Sequence, residues 1–501
     1  MNQLLVVPSS SPSAKNRFIW YGSQLNKLPS SLLGFLGALF RLPVLRSLFP
    51  AVIPGLLKEP FRPSQFARPK SESAVEVTRQ REREYLLDES VESFIKRRFG
   101  DAFGGRLINN LLSAVLHGIY AASTKDLSVR STLAMLWKTE SRHGSLLRAM
   151  LPPRFNKRFR APTQAEEAAQ KAEHEEVEKA RAAVGPEWTR RLDKASVMSL
   201  KDGLQGIVTA MVSSLEAQRN VSFRLQENVT GFLKDEQSGA TFLRTSSGED
   251  VAVDRVVSAL PSTALAHLLQ QDVEPTKKAL HASASSILSI LRHNPSTDVA
   301  VVSFAIPTSA RAVDSKGRIL PVDEGFGFLV PRSETPSNSD GILGVVFDSD
   351  AIPGQDTAEG VTKLTVMMGG PHFKGLSPLP SSEECRQRAI RALERFLGIN
   401  PNVTEHPETI VRSQVQPKCI PTYLPGHFSR MRRLHEELTQ LSERQGFPLT
   451  VTGASYTGVS VNDVVMEATR TAHRIAEAEA KQAGRNGRSG AVTGLETFKQ
   501  G

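Results

Sequence analysis

Leu449-Thr450-Val451-Thr452-Gly453-Ala454-Ser455-Tyr456-Thr457-Gly458-Val459-Ser460-Val461-Asn462-Asp463 is the stretch on which the reading turns. A β-branched run ends at Gly453, a second glycine follows at 458, and Val464, Val465, Ala468, Ala472 and Ile475 then recur at helical spacing to about Ala480. The pattern predicts a strand, a glycine-bounded loop and a helix. The two glycines let a bound group approach the backbone closely. The first turn of the helix offers unpaired N–H groups and a partial positive charge, which suit anionic oxygens. An ordinary turn between two core elements satisfies the spacing equally well.

With 501 residues the chain can bury the cores of two or three domains. Lysine and arginine outnumber the acids 62 to 52, giving a net charge of +10. That excess fits an anionic partner such as a lipid surface or a carboxylated substrate. No RNP, zinc-finger or basic-zipper pattern occurs, so nucleic acid is not expected as a partner. Cys385 and Cys419 lie far apart and outside any CxxC pair, which disfavours a disulfide framework or a zinc site. Cys419 reads as a buried thiol. No apolar run is long enough for a spanning helix, and residues 1–8 carry neither signal-peptide nor transit-peptide features.

Asn16-Arg17-Phe18-Ile19-Trp20-Tyr21-Gly22 reads as a strand carrying one arginine. Residues 30–61 are the most apolar part of the chain, and Pro43, Pro50 and Pro54 forbid a single helix there. Short helices lying in a membrane interface fit, with Arg41, Arg46 and Lys58 at the head groups, as does a buried helical subdomain. Residues 62–83 read as an exposed linker. A helix capped by Asp88 or Ser90 places Val91, Phe94, Ile95 and Arg98 on one face, and a second helix covers 101–117. Residues 156–195, rich in Ala, Glu, Lys and Arg, read as a solvated helical insertion. Ser199 to Ile207 leads into a further helix. Strands are expected at 220–226, 228–233, 240–245 and 250–258, then at 299–306, 326–330, 342–347 and 363–368. The residues after Gln482 are expected to be disordered.

The string from Gly453 to Asp463 resembles the flavin-contacting C-terminal segment of the mitochondrial protoporphyrinogen oxidase family, within the FAD-dependent amine-oxidase superfamily. The glycines, Tyr456 and the Asn462-Asp463 pair carry the likeness. Asn16-Arg17-Phe18, Ser258-Ala259-Leu260-Pro261, Gly325 to Pro331, Met367 to Gly370 and Cys419 to His427 are similar to family strings as well. The resemblance implies a mixed α+β and α/β, FAD-linked amine-oxidase-like fold. Its parts would be a truncated Rossmann-type FAD domain (199–265 and 426–482), a β-sheet substrate domain (1–29 and 266–425) and a helical membrane-binding domain (30–160). A charged insertion (161–198) and a tail (483–501) complete the division. Arg17, Phe326, Leu329 and Met367 would face the substrate, and Val229, Ala454, Val459, Ser460 and Val461 would touch FAD. Relatives commonly carry Gly where this chain has Ala122, which bears on the substrate fit.

The activity the resemblance implies is oxidation of protoporphyrinogen IX to protoporphyrin IX, the penultimate step of haem synthesis. FAD accepts the hydride equivalents and dioxygen reoxidises it, so no catalytic acid–base constellation is expected, and none stands out. The implied setting is the surface of the mitochondrial inner membrane, peripheral or monotopic, with a homodimer possible. A sister amine oxidase or desaturase would share the flavin segments but not the Arg17 and Phe326 strings. No G-x-G-x-x-G string occurs in the 501 residues, although dinucleotide-binding units use one to cradle the pyrophosphate. The expectation is therefore either a shortened start or a flavin-free, non-catalytic, membrane-associated relative. In both cases a sheet edge would be left uncovered.

Overall fold

The computed structural model describes residues 3–29, 32–49, 51–66, 87–151, 164–235, 238–270, 285–310, 319–356, 360–483 and 491–498. Its strands in chain order are β1 (Leu4–Pro8), β2 (Arg17–Tyr21), β3 (Gln24–Lys27), β4 (Ala195–Leu200), β5 (Val229–Lys234), β6 (Thr241–Thr245) and β7 (Asp250–Val253). They continue as β8 (Val256–Ser258), β9 (Ser296–Pro307), β10 (Gly327–Leu329), β11 (Ile342–Val346), β12 (Val361–Gly369), β13 (Ile410–Pro421) and β14 (Leu449–Val451).

One seven-stranded sheet in the order β13-β9-β12-β11-β10-β2-β3 dominates. All its pairings are antiparallel except β10 with β2. Period-2 alternation gives the sheet two apolar faces. On one, Val302, Phe304, Phe328, Val345, Leu364 and Val366 pack against the Ser382–Leu397 helix, which presents Cys385, Ala389, Leu393 and Phe396 at helical spacing. That helix opens with a reciprocal Ser381–Glu384 capping box, which satisfies two of its orphan donors. On the other face Val299, Leu343 and Met367 meet Ala121, at the end of the Ser113–Tyr120 helix.

The helices between residues 32 and 150 form the layer over that second face. Pro43 opens the Pro43–Arg46 helix at its first turn, where the missing N–H costs nothing. The prolines thus split the apolar run into the Leu32–Arg41, Pro43–Arg46 and Val52–Lys58 helices. Val44, Leu45, Leu48 and Val52 pack on Ile19, Phe103 and Ala114, while Phe40, Ile53, Leu57 and Phe61 stay exposed. Ser90, not Asp88, caps the Val91–Phe99 helix, accepting from Ser93 N. Asp88 instead ties distant segments together, taking hydrogen bonds from Ser128 Oγ and Gly426 N, both at 2.7 Å. Arg98 is fully buried between Glu59 and Glu140, so its charge is paired as burial requires.

A second body carries β14 and β8, paired in parallel, beside the antiparallel β5-β6-β7 sheet. The expected strand at 220–226 does not form; those residues run as turns and coil into β5. Residues 164–193 form two solvated helices, as their composition predicts. Three further expectations are corrected. Cys419 is exposed, because it sits in the irregular end of edge strand β13. Phe66, within the expected linker, is 1% exposed and stacks edge-on against Trp137; residues 67–83 of that linker lie outside the described residues.

The third correction concerns the C-terminus. Residues 491–498 are packed: Leu495 and Phe498 join the core around Met431, Leu434 and Phe447. Val451 N–H donates to Thr493 O at 2.9 Å and Thr450 Oγ1 to Val492 O at 2.6 Å. The segment thereby lies along the free edge of β14. Gly494 is required at this contact, since at φ +80° a Cβ would stand 1.9 Å from Val451 O. The Gln205–Glu216 helix, by contrast, keeps Leu204, Val208, Met211 and Leu215 around it exposed.

Candidate active site

Between the sheet and the helical layer lies an apolar cavity of about 330 Å³. Arg17, Phe326, Leu329 and Met367 all line it, with Ile19, Leu28, Gly118 and Val115. Strict alternation would send Phe326 and Leu329 to opposite faces. Gly327, at φ +139°, breaks the alternation, and a Cβ there would stand 2.2 Å from Val345 O. Phe328 therefore turns into the sheet–helix core against Phe347 and Phe396, while its neighbours reach the cavity. The β10–β2 register sets Gly327 beside Arg17, which brings the guanidinium within 5.5 Å of the Phe326 ring centroid. Beyond that ring Arg17 reaches, among the described residues, only Ser196 Oγ, at 3.4 Å. Gly118 meets Leu329 closely, since a Cβ at 118 would lie 2.7 Å from Leu329 Cδ2. Ala122 is buried in the core of the helical layer, so its methyl packs with Leu116 and Leu127.

The wall holding Leu329 is clamped to the helices by residues that no spacing in the sequence reveals. Arg332 Nη1 donates to Glu92 Oε2 at 2.8 Å, Arg332 Nε to Asn109 Oδ1 at 2.9 Å, and Arg332 N to Ser113 Oγ at 3.0 Å. Lys96 Nζ closes on Glu92 Oε1 at 2.7 Å. Burial by itself would raise the Glu92 carboxyl, but hydrogen bonds from Arg332 and Lys96 outweigh it and hold the group at about 2. His117, on the same helix as Gly118, is depressed to about 4, first by burial and then by His372 and Arg332. It is neutral at physiological pH. Glu92 and Arg332 stand 240 positions apart, so only the fold pairs them.

The Gly453–Asp463 loop leads from β14 into the Val461–Ala483 helix. Ser460 caps that helix: its Oγ accepts from Asp463 N at 3.1 Å, and Asp463 Oδ2 accepts from Ser460 N at 3.3 Å. Ala454 O accepts the Tyr423 hydroxyl, and Tyr423 stacks on His427 with centroids 4.2 Å apart. Ala454 and Val459 are half-buried, Ser460 and Val461 exposed. Val229 stands apart from this loop, half in solvent at the start of β5. Among the described residues no His, Cys, Asp or Glu cluster could hold a metal.

A flavin dinucleotide is the group the loop can be tested against. Among the described residues Ser258 Oγ and Thr452 Oγ1, at the carboxyl ends of the parallel strands β8 and β14, are buried without a hydrogen-bond partner. So are Thr457 Oγ1 and the Tyr456 hydroxyl in the loop itself. Buried hydroxyls are costly when unpaired, and ligands of α/β sheets sit at the carboxyl ends of strands. The donor set fits a large polar ligand there. A sequence profile described as flavin containing amine oxidoreductase matches residues 1–476. The chain belongs to this family.

The chain is similar along most of its length to curated protoporphyrinogen oxidases. The protoporphyrinogen oxidase of Schizosaccharomyces pombe is 29% identical over 95% of this chain and 81% of its own length. The protoporphyrinogen oxidase of Homo sapiens is 30% identical over 93% of this chain and 80% of its own. Among solved structures, a candidate protoporphyrinogen oxidase of Exiguobacterium sp. superposes with a TM-score of 0.60 at 20% identity, over 95% of this chain and 82% of that one. That likeness concerns the fold. The flavin oxidoreductase family uses FAD as its redox group.

Proposed function

We propose that the chain oxidises protoporphyrinogen IX to protoporphyrin IX at the cavity between the sheet and the helical layer. The observation that carries this reading is an apolar slot with, at its rim, the Arg17 guanidinium, which has no carboxylate partner among the described residues. A macrocycle of fused apolar rings gains from burial between Phe326, Leu329 and Met367. Arg17, with no carboxylate partner among the described residues, is available for a charge-assisted bond to a propionate. Bound FAD would accept the hydride equivalents, and dioxygen would restore it. This chain's own part is to orient the macrocycle, exclude water and hold its carboxylate. Val229, Ala454, Val459, Ser460 and Val461 are proposed as cofactor contacts, the positive end of the helix dipole at Val461 favouring negative charge on the flavin.

The same reading places the protein on a bilayer surface, in keeping with the mitochondrial inner membrane. Phe40, Ile53, Leu57 and Phe61 are 70%, 57%, 68% and 82% exposed on the helices of residues 32–61. Among the described residues no helix is long and apolar enough to cross a membrane. The experiment is an aerobic assay of the purified protein with added FAD, following the fluorescence of protoporphyrin as it forms. Turnover that needs both FAD and dioxygen supports the reading. Tight FAD binding with turnover of an amine and none of protoporphyrinogen would replace it with a sister oxidase.

A further inference from the structure

Beside the active-site cavity runs a second depression of about 610 Å³, walled by β3 and the Leu32–Arg41 helix. Three cations open onto it: Lys15, Lys27 and Arg41. Among the described residues none of the three is paired with a carboxylate. Its helical wall includes the small residues Gly34, Gly37 and Ala38; a Cβ built on Gly37 meets no atom within 4 Å. Leu28 borders both this groove and the cavity that holds Arg17. The backbone connects them too, since Leu28 N–H donates to Arg17 O at 2.8 Å.

We propose that this groove is a vestibule for the carboxylate arms of the substrate, with Lys15, Lys27 and Arg41 recognising what the single Arg17 cannot. The inference rests on the reading above, that a tetrapyrrole occupies the cavity. Charge and size point the same way. A cavity of about 330 Å³ is at the low end of the roughly 300–1,000 Å³ found for drug-sized ligands. A tetrapyrrole with two propionates is a large member of that class and carries two negative charges to one rim cation. The groove supplies both the missing room and the missing charge, at the side where Leu28 divides it from the cavity. Uncompensated cations in a concave site raise the local concentration of an anionic ligand and its rate of entry. Three exposed cations along an apolar trough have no carboxylate partner among the described residues.

The test uses the full chain without added flavin and reads binding alone. Protoporphyrin IX and its dimethyl ester are titrated by fluorescence at low and at high ionic strength, against wild type, the triple variant Lys15→Gln/Lys27→Gln/Arg41→Gln, and Gly37→Leu. The triple variant is expected to weaken binding of the diacid roughly tenfold at low salt, with the difference fading as salt screens the charges. Ester binding should be unchanged. Gly37→Leu fills the trough without touching a charge and should weaken diacid and ester alike. An unchanged diacid affinity in the triple variant overturns the proposal, as does equal weakening of diacid and ester. Loss of binding to phosphatidylserine vesicles with porphyrin binding intact also overturns it, assigning the groove to lipid head groups. If wild type binds neither porphyrin, the tetrapyrrole reading itself falls; if it binds both and the variants do not differ, only the vestibule does.

Discussion

Replacing Glu92 by Gln removes one charge from the joint between helices and sheet and keeps the shape. A carboxyl held at about 2 in place of its ordinary 4.5 corresponds to about 3 kcal/mol in favour of the charged, folded form. The group is 7% exposed, so little of that is lost to solvent screening. Because the folded pKa is depressed, the contribution is fully present above the unfolded value near 4.5. It is lost as the pH falls through that value towards 2. Glu92→Gln should therefore cost about 2–3 kcal/mol at pH 7, the amide still accepting one of the Arg332 bonds. The gap to wild type should shrink by about 1 kcal/mol by pH 3.5. Urea unfolding of both proteins at pH 7, 5 and 3.5 measures it. A difference that stays constant across the three would mean that packing, not charge, holds the joint; no difference at pH 7 would mean that the Arg332 clamp contributes nothing.

Arg17→Gln should raise KM for protoporphyrinogen roughly tenfold and leave FAD content unchanged, since a charge-assisted bond to a propionate is lost; flavin loss at constant KM would reassign the residue. Leu495 is fully buried, so Leu495→Ala should destabilise the protein by about 2–5 kcal/mol, and a change under about 0.5 kcal/mol would show the C-terminal segment to be loosely held. Replacing Phe40, Leu57 and Phe61 by Ser should leave the unfolding midpoint unmoved yet abolish flotation with liposomes, because these side chains already stand in water. Gly327→Ala forces a Cβ into Val345 O and should distort the β10–β11 pairing enough to lower porphyrin affinity; an unaltered affinity would show that the turn does not aim Phe326.

Much of the architecture was legible residue by residue. The β-branched run, the glycines and the helical period around Gly453 announced β14, its loop and the helix behind it, because strand, turn and helix each leave a local signature. The strands at 296–307, 342–346 and 361–369 could be read from alternation for the same reason. Pro43 told where the Leu32–Arg41 helix must end and the next begin, whereas Pro54 sits within the first turn of the Val52–Lys58 helix. Arg17, Phe326, Leu329 and Met367 were picked individually by likeness to a family. What put them around one cavity was the parallel pairing of β10 with β2, a contact between residues more than 300 positions apart.

The remainder was decided by tertiary structure alone. Glu92 has nothing nearby in sequence to identify Arg332 as its partner, and nothing in the sequence groups Lys15, Lys27 and Arg41. The C-terminal segment has the composition of a flexible tail, yet Val492 and Thr493 meet an unpaired strand edge. Leu495 and Phe498 find an apolar pocket beside Phe447. Local sequence records the preferences of a chain for strand, turn or helix, because those are set by neighbours a few residues away. Which edge a segment covers, which charge is buried beside which, and where cavities remain depend on surfaces that do not exist until the chain has folded. That is why the elements could be read along the chain and the charged joint, the covered edge and the vestibule could not.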